Sequence, residues 1–175
     1  KKSFPELDLH NIFFTENYQE EFDLIFNKKQ LSSDPTVYVN ISSKADPSDA
    51  PKSCENWFVM INVPTNEGQN WEHLVATAKA NVIKKLNRNL NVNLEELIDT
   101  EAILDPIKIE QTTSSHQGSL YGSASNNKFS AFLRHPNFSR QLKGLYFCGG
   151  SVHPGGGIPL CLKSGQIVAD LIPEA

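Results

Sequence analysis

Apolar and polar positions alternate in two short stretches, TVYVNIS (residues 36–42) and WFVMINVP (residues 57–64), and a period of two predicts strands. Val37, Val39 and Ile41 share one face of the first, and Val59, Ile61 and Val63 one face of the second. Between them SKADPSDAPKS is a loop rich in Pro, Asp and Ser, so an antiparallel pairing is the simplest topology. HNIFFT (residues 10–15) reads as another strand. A helix should follow, with Thr15 as its cap and Tyr18, Phe22, Ile25 and Phe26 along one side.

The period changes to that of a helix in NWEHLVATAKANVIKKLNRNL. Asn70 is placed to cap it, and Trp71, Leu74, Val75, Ala78, Val82 and Leu86 form one stripe. KKLNRN reads as its solvated face. NVNLEEL predicts a short second helix, with Asn93 and Glu96 at capping-box spacing. AILDPIKIEQ reads as a strand broken near Pro106. Residues 114–143 show little periodicity and much Gly, Ser and Asn, so they form a long irregular connection. GLYFCGG (residues 144–150) reads as a buried strand. Ser151–Gly157 is a turn, and a helix starts at Ile158 with Pro159 in its first turn. Its stripe is Leu160, Ser164, Ile167, Val168 and Leu171, and Pro173 ends it. Gly165 would allow close packing of that helix on the strand.

Composition narrows the class. With 39% apolar and 21% charged residues, a 175-residue chain belongs with ordinary globular domains. The net charge of −4 and the lack of a basic stripe argue against nucleic acid. No apolar run approaches the roughly 20 residues of a membrane helix, and the first residues lack the apolar core of a signal peptide. Three cysteines without a C-x-x-C pair suit reduced thiols, with Cys148 and Cys161 expected in the core. Trp57, Phe58 and Trp71 are expected there too. The start at Lys1 suggests that the chain was cut from something longer.

Chemistry concentrates near the C terminus. Gly149 to Ser164 holds five glycines and two prolines between patterned flanks. Strand, glycine turn and helix N terminus together let a polar ligand approach bare backbone and meet unpaired N–H groups. A tight turn that binds nothing is the alternative. Neither a Walker A loop nor a G-x-G-x-x-G fingerprint is present, the five histidines lack metal-ligand spacing, and no nucleophile arrangement is visible.

GLYFCGGSVHPGGGIPLCLKSGQIVADLI (residues 144–172) closely resembles the C-terminal flavin-binding signature of the phytoene (carotenoid) desaturase family of FAD-dependent oxidoreductases. GSLYGSASNNKFSAFLRHPN is similar to the segment leading into it. NIFFTENYQEEFDLIF and DPTVYVNISSKADPSDAPKSCENWFVMINVP are similar to parts of the family's substrate domain. The resemblance implies an α+β fold, an antiparallel sheet with helices, followed by the strand–turn–helix of a split Rossmann-like FAD domain. Residues 1–113 would be substrate domain, 114–143 an irregular connection lining the active site, and 144–175 the C-terminal segment of the FAD domain. The chain would be the C-terminal fragment of an enzyme that dehydrogenates a long polyene by hydride transfer to flavin, inactive without its N-terminal remainder.

Carried over by position, Gly149, Gly150 and Ser151 would lie near the pyrophosphate and ribityl chain of FAD. Pro154, Gly155, Gly156, Gly157 and Ile158 would face the flavin, the last three through backbone N–H groups. His153 is a weak catalytic candidate, and His116, Tyr121, Arg134 and His135 are weak candidates for lining the substrate. No metal is expected. The unpaired cysteines suit a cytoplasmic setting, and the resemblance, with so apolar a substrate, implies an enzyme peripheral to a membrane. Two rivals stay open: a retinol-saturase-like reductase or isomerase on the same scaffold, and a self-contained anion- or nucleotide-binding or structural module without catalytic activity.

Overall fold

Three strands, His10–Phe13 (β1), Val37–Asn40 (β2) and Phe58–Ile61 (β3), form one antiparallel sheet in the order β1–β2–β3. The computed structural model describes residues 3–122 and 134–172. These form two compact units, divided between Ile103 and Leu104. In the register, Val37 lies opposite Phe13 and Ile61, and Val39 opposite Asn11 and Val59. That pairing puts the expected alternation to use. Val37, Val39 and Ile41 are 0% exposed and cluster with Phe4, Leu86 and Leu94. Each such side chain contributes about 1.5–3 kcal/mol by leaving water.

The described residues include four α-helices: Tyr18–Asp23 (α1) and Trp71–Leu90 (α2) in the first unit, Pro106–Thr113 (α3) and Ile158–Leu171 (α4) in the second. A π-helical turn, Leu24–Lys28, extends α1, and Lys29 ends it in the left-handed conformation. The cap of α1 is Asn17 rather than Thr15; the Asn17 side chain accepts from the Glu20 N–H at 3.1 Å. Asn70 caps α2 as expected, accepting from the His73 N–H at 3.1 Å, and left-handed Asn91 closes the helix. Asn93 and Glu96 do meet, side chain to side chain at 2.8 Å, over a single 3-10 turn.

Charged side chains complete the first unit. Glu21 is 1% exposed, and its two carboxylate oxygens accept from the backbone N–H and the hydroxyl of Thr36 at 2.8 and 2.7 Å. Glu55 accepts from the Ser3 hydroxyl, the Phe4 N–H and Lys44 through one oxygen, and from the Trp57 indole N–H through the other. Burial alone would raise its carboxyl. These four donors outweigh that and hold it below the usual carboxylate range. Asp34 behaves alike, with the Glu16 N–H and Lys85 offsetting its burial.

Several sequence expectations are overturned. AILDPIKIEQ is no strand, because Asp105 caps α3 by accepting from the Lys108 N–H at 2.9 Å and Pro106 occupies the first turn, where its missing N–H costs nothing. KKLNRN is not wholly solvated. Lys85 is buried, its ammonium donating to Asp34 Oδ1 at 3.0 Å and the Pro35 carbonyl at 2.8 Å. Phe58 is 62% exposed, because it stands on the sheet face opposite Val37 and Val39. Val59 is partly exposed as well.

GLYFCGG forms no ladder and is not buried. Among the described residues its one bridge is Phe138 with Tyr146, and its backbone bonds to the Asn137–Ser139 segment; Cys148 is exposed rather than packed. Cys161 is half-buried, and all three thiols are free. In α4 the buried side centres on Ser164, flanked by half-buried Cys161, Gly165, Ile167 and Val168, while Leu160 and Leu171 are exposed. A Cβ on Gly165 would meet nothing within 4 Å, so no close packing explains that glycine. Pro173 lies outside the described residues, as does the middle of the irregular connection.

Candidate functional site at the glycine turn and the N terminus of α4

The chain enters the site through Phe147 and Cys148, turns from Gly149 to Gly157, and becomes α4 at Ile158. Gly149, Gly155 and Gly157 have φ of 113°, 137° and 97°, values that side chains disfavour, so these glycines are required by the path of the turn. Gly156 has no such torsion and is required by a neighbour instead. A Cβ there would stand 2.3 Å from the Tyr121 ring.

Two buried polar side chains hold the turn in place. Ser164 is 0% exposed, and its hydroxyl donates to the His153 carbonyl at 2.9 Å while accepting from the Gly149 N–H at 3.1 Å. Asn137 is 4% exposed, and its two amide hydrogens are shared among Ser164 Oγ at 2.9 Å, the His153 carbonyl at 2.9 Å and the Phe147 carbonyl at 3.0 Å. The Asn137 backbone carbonyl accepts from the Phe147 N–H. The Asn137 amide nitrogen and the Ser164 hydroxyl thus find their partners in the same small cluster.

The N terminus of α4 differs from those of α1, α2 and α3. Asn17, Asn70 and Asp105 each cap their helix through a side chain, whereas α4 begins behind Gly157, which has none. Its first internal acceptor is the Gly157 carbonyl, taken by the Cys161 N–H. The N–H groups before Cys161 thus have no acceptor within the helix, and the aligned peptide dipoles make that end favourable to an electron-rich or anionic group. Ile158 is 79% exposed, so the helix start is open.

The predicted residues fall into distinct places. Tyr121 packs its ring against Gly150 and Gly156. Arg134 donates to the carbonyls of Tyr121 at 2.8 Å and Gly150 at 3.2 Å and lies beside Gly155, so it clamps the turn. The His135 carbonyl accepts from the His153 N–H, and its ring stands edge-on to Phe147 at 5.0 Å. Backbone at Gly150, Gly155 and Gly156 is therefore covered on its Cβ side, whereas Gly149 and Gly157 have nothing within 4 Å there. Ser151 and the His153 side chain are exposed, and Pro154 is half-buried, joined to His153 by a cis bond. His116 is exposed on a 3-10 turn, His116–Gly118, that follows α3, and no described bond ties it to the glycine turn. Among the described residues no group of three or more His, Cys, Asp or Glu is placed to hold a metal ion.

Sequence reasoning overlooked Asn137 and gave Ser164 only a place in an apolar stripe. The signal was there: a serine at the centre of such a stripe must find partners once buried.

Comparison with known proteins now bears on the site. The chain is 66% identical to 1-hydroxycarotenoid 3,4-desaturase of Flavobacterium sp. (strain P99-3) over 174 residues, 99% of this chain. The chain belongs to the carotenoid desaturase family. It is also 35% identical to the 4,4'-diapolycopene oxygenase of Methylomonas sp over 97% of its length, and 32% identical to the phytoene desaturase of Fusarium fujikuroi over 98%. It spans only 36%, 34% and 34% of those family members, about a third of their length. No protein-family model matches the chain. The family resemblance first read from residues 144–172 is thus borne out. No helix among the described residues is long and apolar enough to cross a membrane.

Proposed function

We propose that this chain is the C-terminal portion of an FAD-dependent carotenoid desaturase, and that the glycine turn and the start of α4 close around the flavin. One observation carries the reading: an uncapped helix N terminus behind a glycine turn, in a chain 66% identical to a carotenoid desaturase. The names of the relatives, desaturase and oxygenase, favour an oxidation over the reductase or isomerase alternative.

The residues present fit the cofactor at this edge. Gly157 and Ile158 offer unshared N–H groups at an open helix end, and Gly149 and Gly157 leave space on their Cβ sides. The covered faces of Gly150, Gly155 and Gly156 restrict contact there to the opposite side of the backbone. Bound FAD supplies the two-electron acceptor for removing a hydrogen from each of two adjacent polyene carbons, so that a double bond forms between them.

This chain's own part is to bind and orient. The α4 N terminus supplies fixed dipoles whose benefit grows as electron density arrives at the neighbouring edge. Arg134 keeps the turn folded through two carbonyls and adds a positive charge beside it. The first unit, with its antiparallel sheet, would serve as part of the substrate domain for a long apolar polyene. The hydroxylated substrate in the printed name of the Flavobacterium protein makes a hydroxycarotenoid the first to assay. The complete enzyme would meet such a substrate at a membrane surface as a peripheral protein.

Purification of the complete gene product tests this directly. A yellow protein with flavin absorption that releases FAD on denaturation is expected. A folded, colourless protein that takes up no FAD would overturn the proposal.

A further inference from the structure

We infer that Ser164 and Asn137 are positioning residues for the cofactor-facing turn, setting where its N–H groups stand relative to the axis of α4; the inference rests on the FAD reading above. A serine inside a helix ordinarily satisfies itself on a carbonyl one turn earlier. Ser164 instead reaches back 15 residues to the Gly149 N–H and 11 residues to the His153 carbonyl. A hydroxyl has one hydrogen to give and two lone pairs to receive with, and all three are used here, the third by Asn137. The turn is therefore tied to the second turn of α4 at both Gly149 and His153, and the helix itself begins at Ile158. Only the short span from Pro154 to Gly157 lies between the second tie and the helix.

Asn137 makes the arrangement rigid from outside. Its amide reaches Phe147, His153 and Ser164, so the strand-like approach, the middle of the turn and the helix all meet at one side chain. Beside the Arg134 clamp and the Tyr121 ring, two neutral residues thereby tie a nine-residue turn to α4. A consequence distinguishes this from the family-derived expectation. The Gly149 N–H is already bound by Ser164, so it is not a donor to the cofactor, and recognition shifts to Gly157 and Ile158.

The test uses the complete protein and three variants, Ser164→Ala, Ser164→Thr and Ser164→Cys. The readouts are the FAD dissociation constant from flavin fluorescence, the flavin midpoint potential and the melting temperature. Ser164→Ala should bind FAD about tenfold more weakly, the loss expected from one net hydrogen bond at the upper end of the usual range, and should shift the potential. Ser164→Thr, which keeps the hydroxyl, should restore both. A lower melting temperature with unchanged affinity and potential would make Ser164 merely structural and overturn the inference while leaving the FAD reading intact. If Ser164→Ala does not fold, Ser164→Cys keeps the volume with a much weaker hydrogen-bonding group, and the same two outcomes decide. Wild-type protein that binds no FAD would sink the FAD reading first and this inference with it.

Discussion

The two units solve the same problem, burying polar groups, by opposite means. In the first, charged side chains close an apolar core: Glu21 on Thr36, Glu55 on the N-terminal segment and Trp57, and Lys85 on Asp34 and Pro35. In the second, the buried polar groups are neutral, Asn137 and Ser164, and Ile109 is the only buried large hydrophobic among the described residues. Its apolar residues stand outward instead, with Ile158 and Leu162 79% and 72% exposed. A core with charged clasps can tolerate the loss of one clasp at a price in stability. A turn with no apolar core beneath it depends on its hydrogen bonds for shape. The inverted pattern also fits the proposal that the flavin domain is completed by residues outside this chain, since large exposed apolar patches mark surfaces that pack against something.

The strongest test of the comparison is Glu21→Ala. It leaves both Thr36 donors unmet in the interior, so the first unit should lose about 3 kcal/mol. Both tryptophans of the chain lie in that unit, so a denaturant titration followed by tryptophan emission reads it alone. A loss under about 1 kcal/mol would mean that water replaces the carboxylate and that the clasp is dispensable.

Acid probes the same clasps together. Glu55 and Asp34 have folded pKa values below their unfolded ones. Their contribution is complete above the ordinary carboxylate range and is lost as pH falls through that range to the lower folded values. Stability by the same tryptophan signal should therefore drop on acidification. Glu55→Gln should be less stable at neutral pH and show a shallower acid dependence. An unchanged slope would show that Glu55 is not among the groups responsible.

In the second unit, Gly156→Ala should cost about 1–3 kcal/mol, since the new methyl overlaps the Tyr121 ring and something must move. Adding Tyr121→Ala should recover most of the loss, because the ring is the obstacle. A double variant no better than the single one would place the strain in the backbone instead.

Legibility in the sequence followed the same division. The first unit was readable because its core obeys a period: Val37, Val39 and Ile41 fell on the face assigned to them, and Asn70 capped the helix it precedes. What failed there were the cap at Thr15, the burial of Phe58 and the charges, since nothing in KKLNRN says that Lys85 will find Asp34 across 51 residues. In the second unit apolar runs misled. GLYFCGG has the composition of a buried strand, yet its backbone bonds to a loop around Asn137. Asp105–Pro106 reads as a break in a strand by apolar pattern, yet Asp followed by Pro is also a helix start, and the helix wins. The glycine turn and the start of α4 were legible from local rules alone. The hub beneath them was not, because it joins residues 137, 149, 153 and 164 through side-chain hydrogen bonds that leave no periodic trace.

The smallest expected effect gives a scale for the most consequential difference between helix starts. Asp105→Ala removes the cap of α3 and should cost about 1 kcal/mol, speeding exchange of the Lys108 amide about fivefold. Asn17→Ala and Asn70→Ala should do the same at the Glu20 and His73 amides. At α4 no cap exists to remove, so the Ile158 and Leu160 amides should already exchange like those of the uncapped variants. If FAD seats there, adding it to the complete protein should slow these two amides by at least as much as a side-chain cap slows its own. Exchange that is unaffected by FAD would move the cofactor contact away from the helix start and leave α4 a helix that simply begins without a cap.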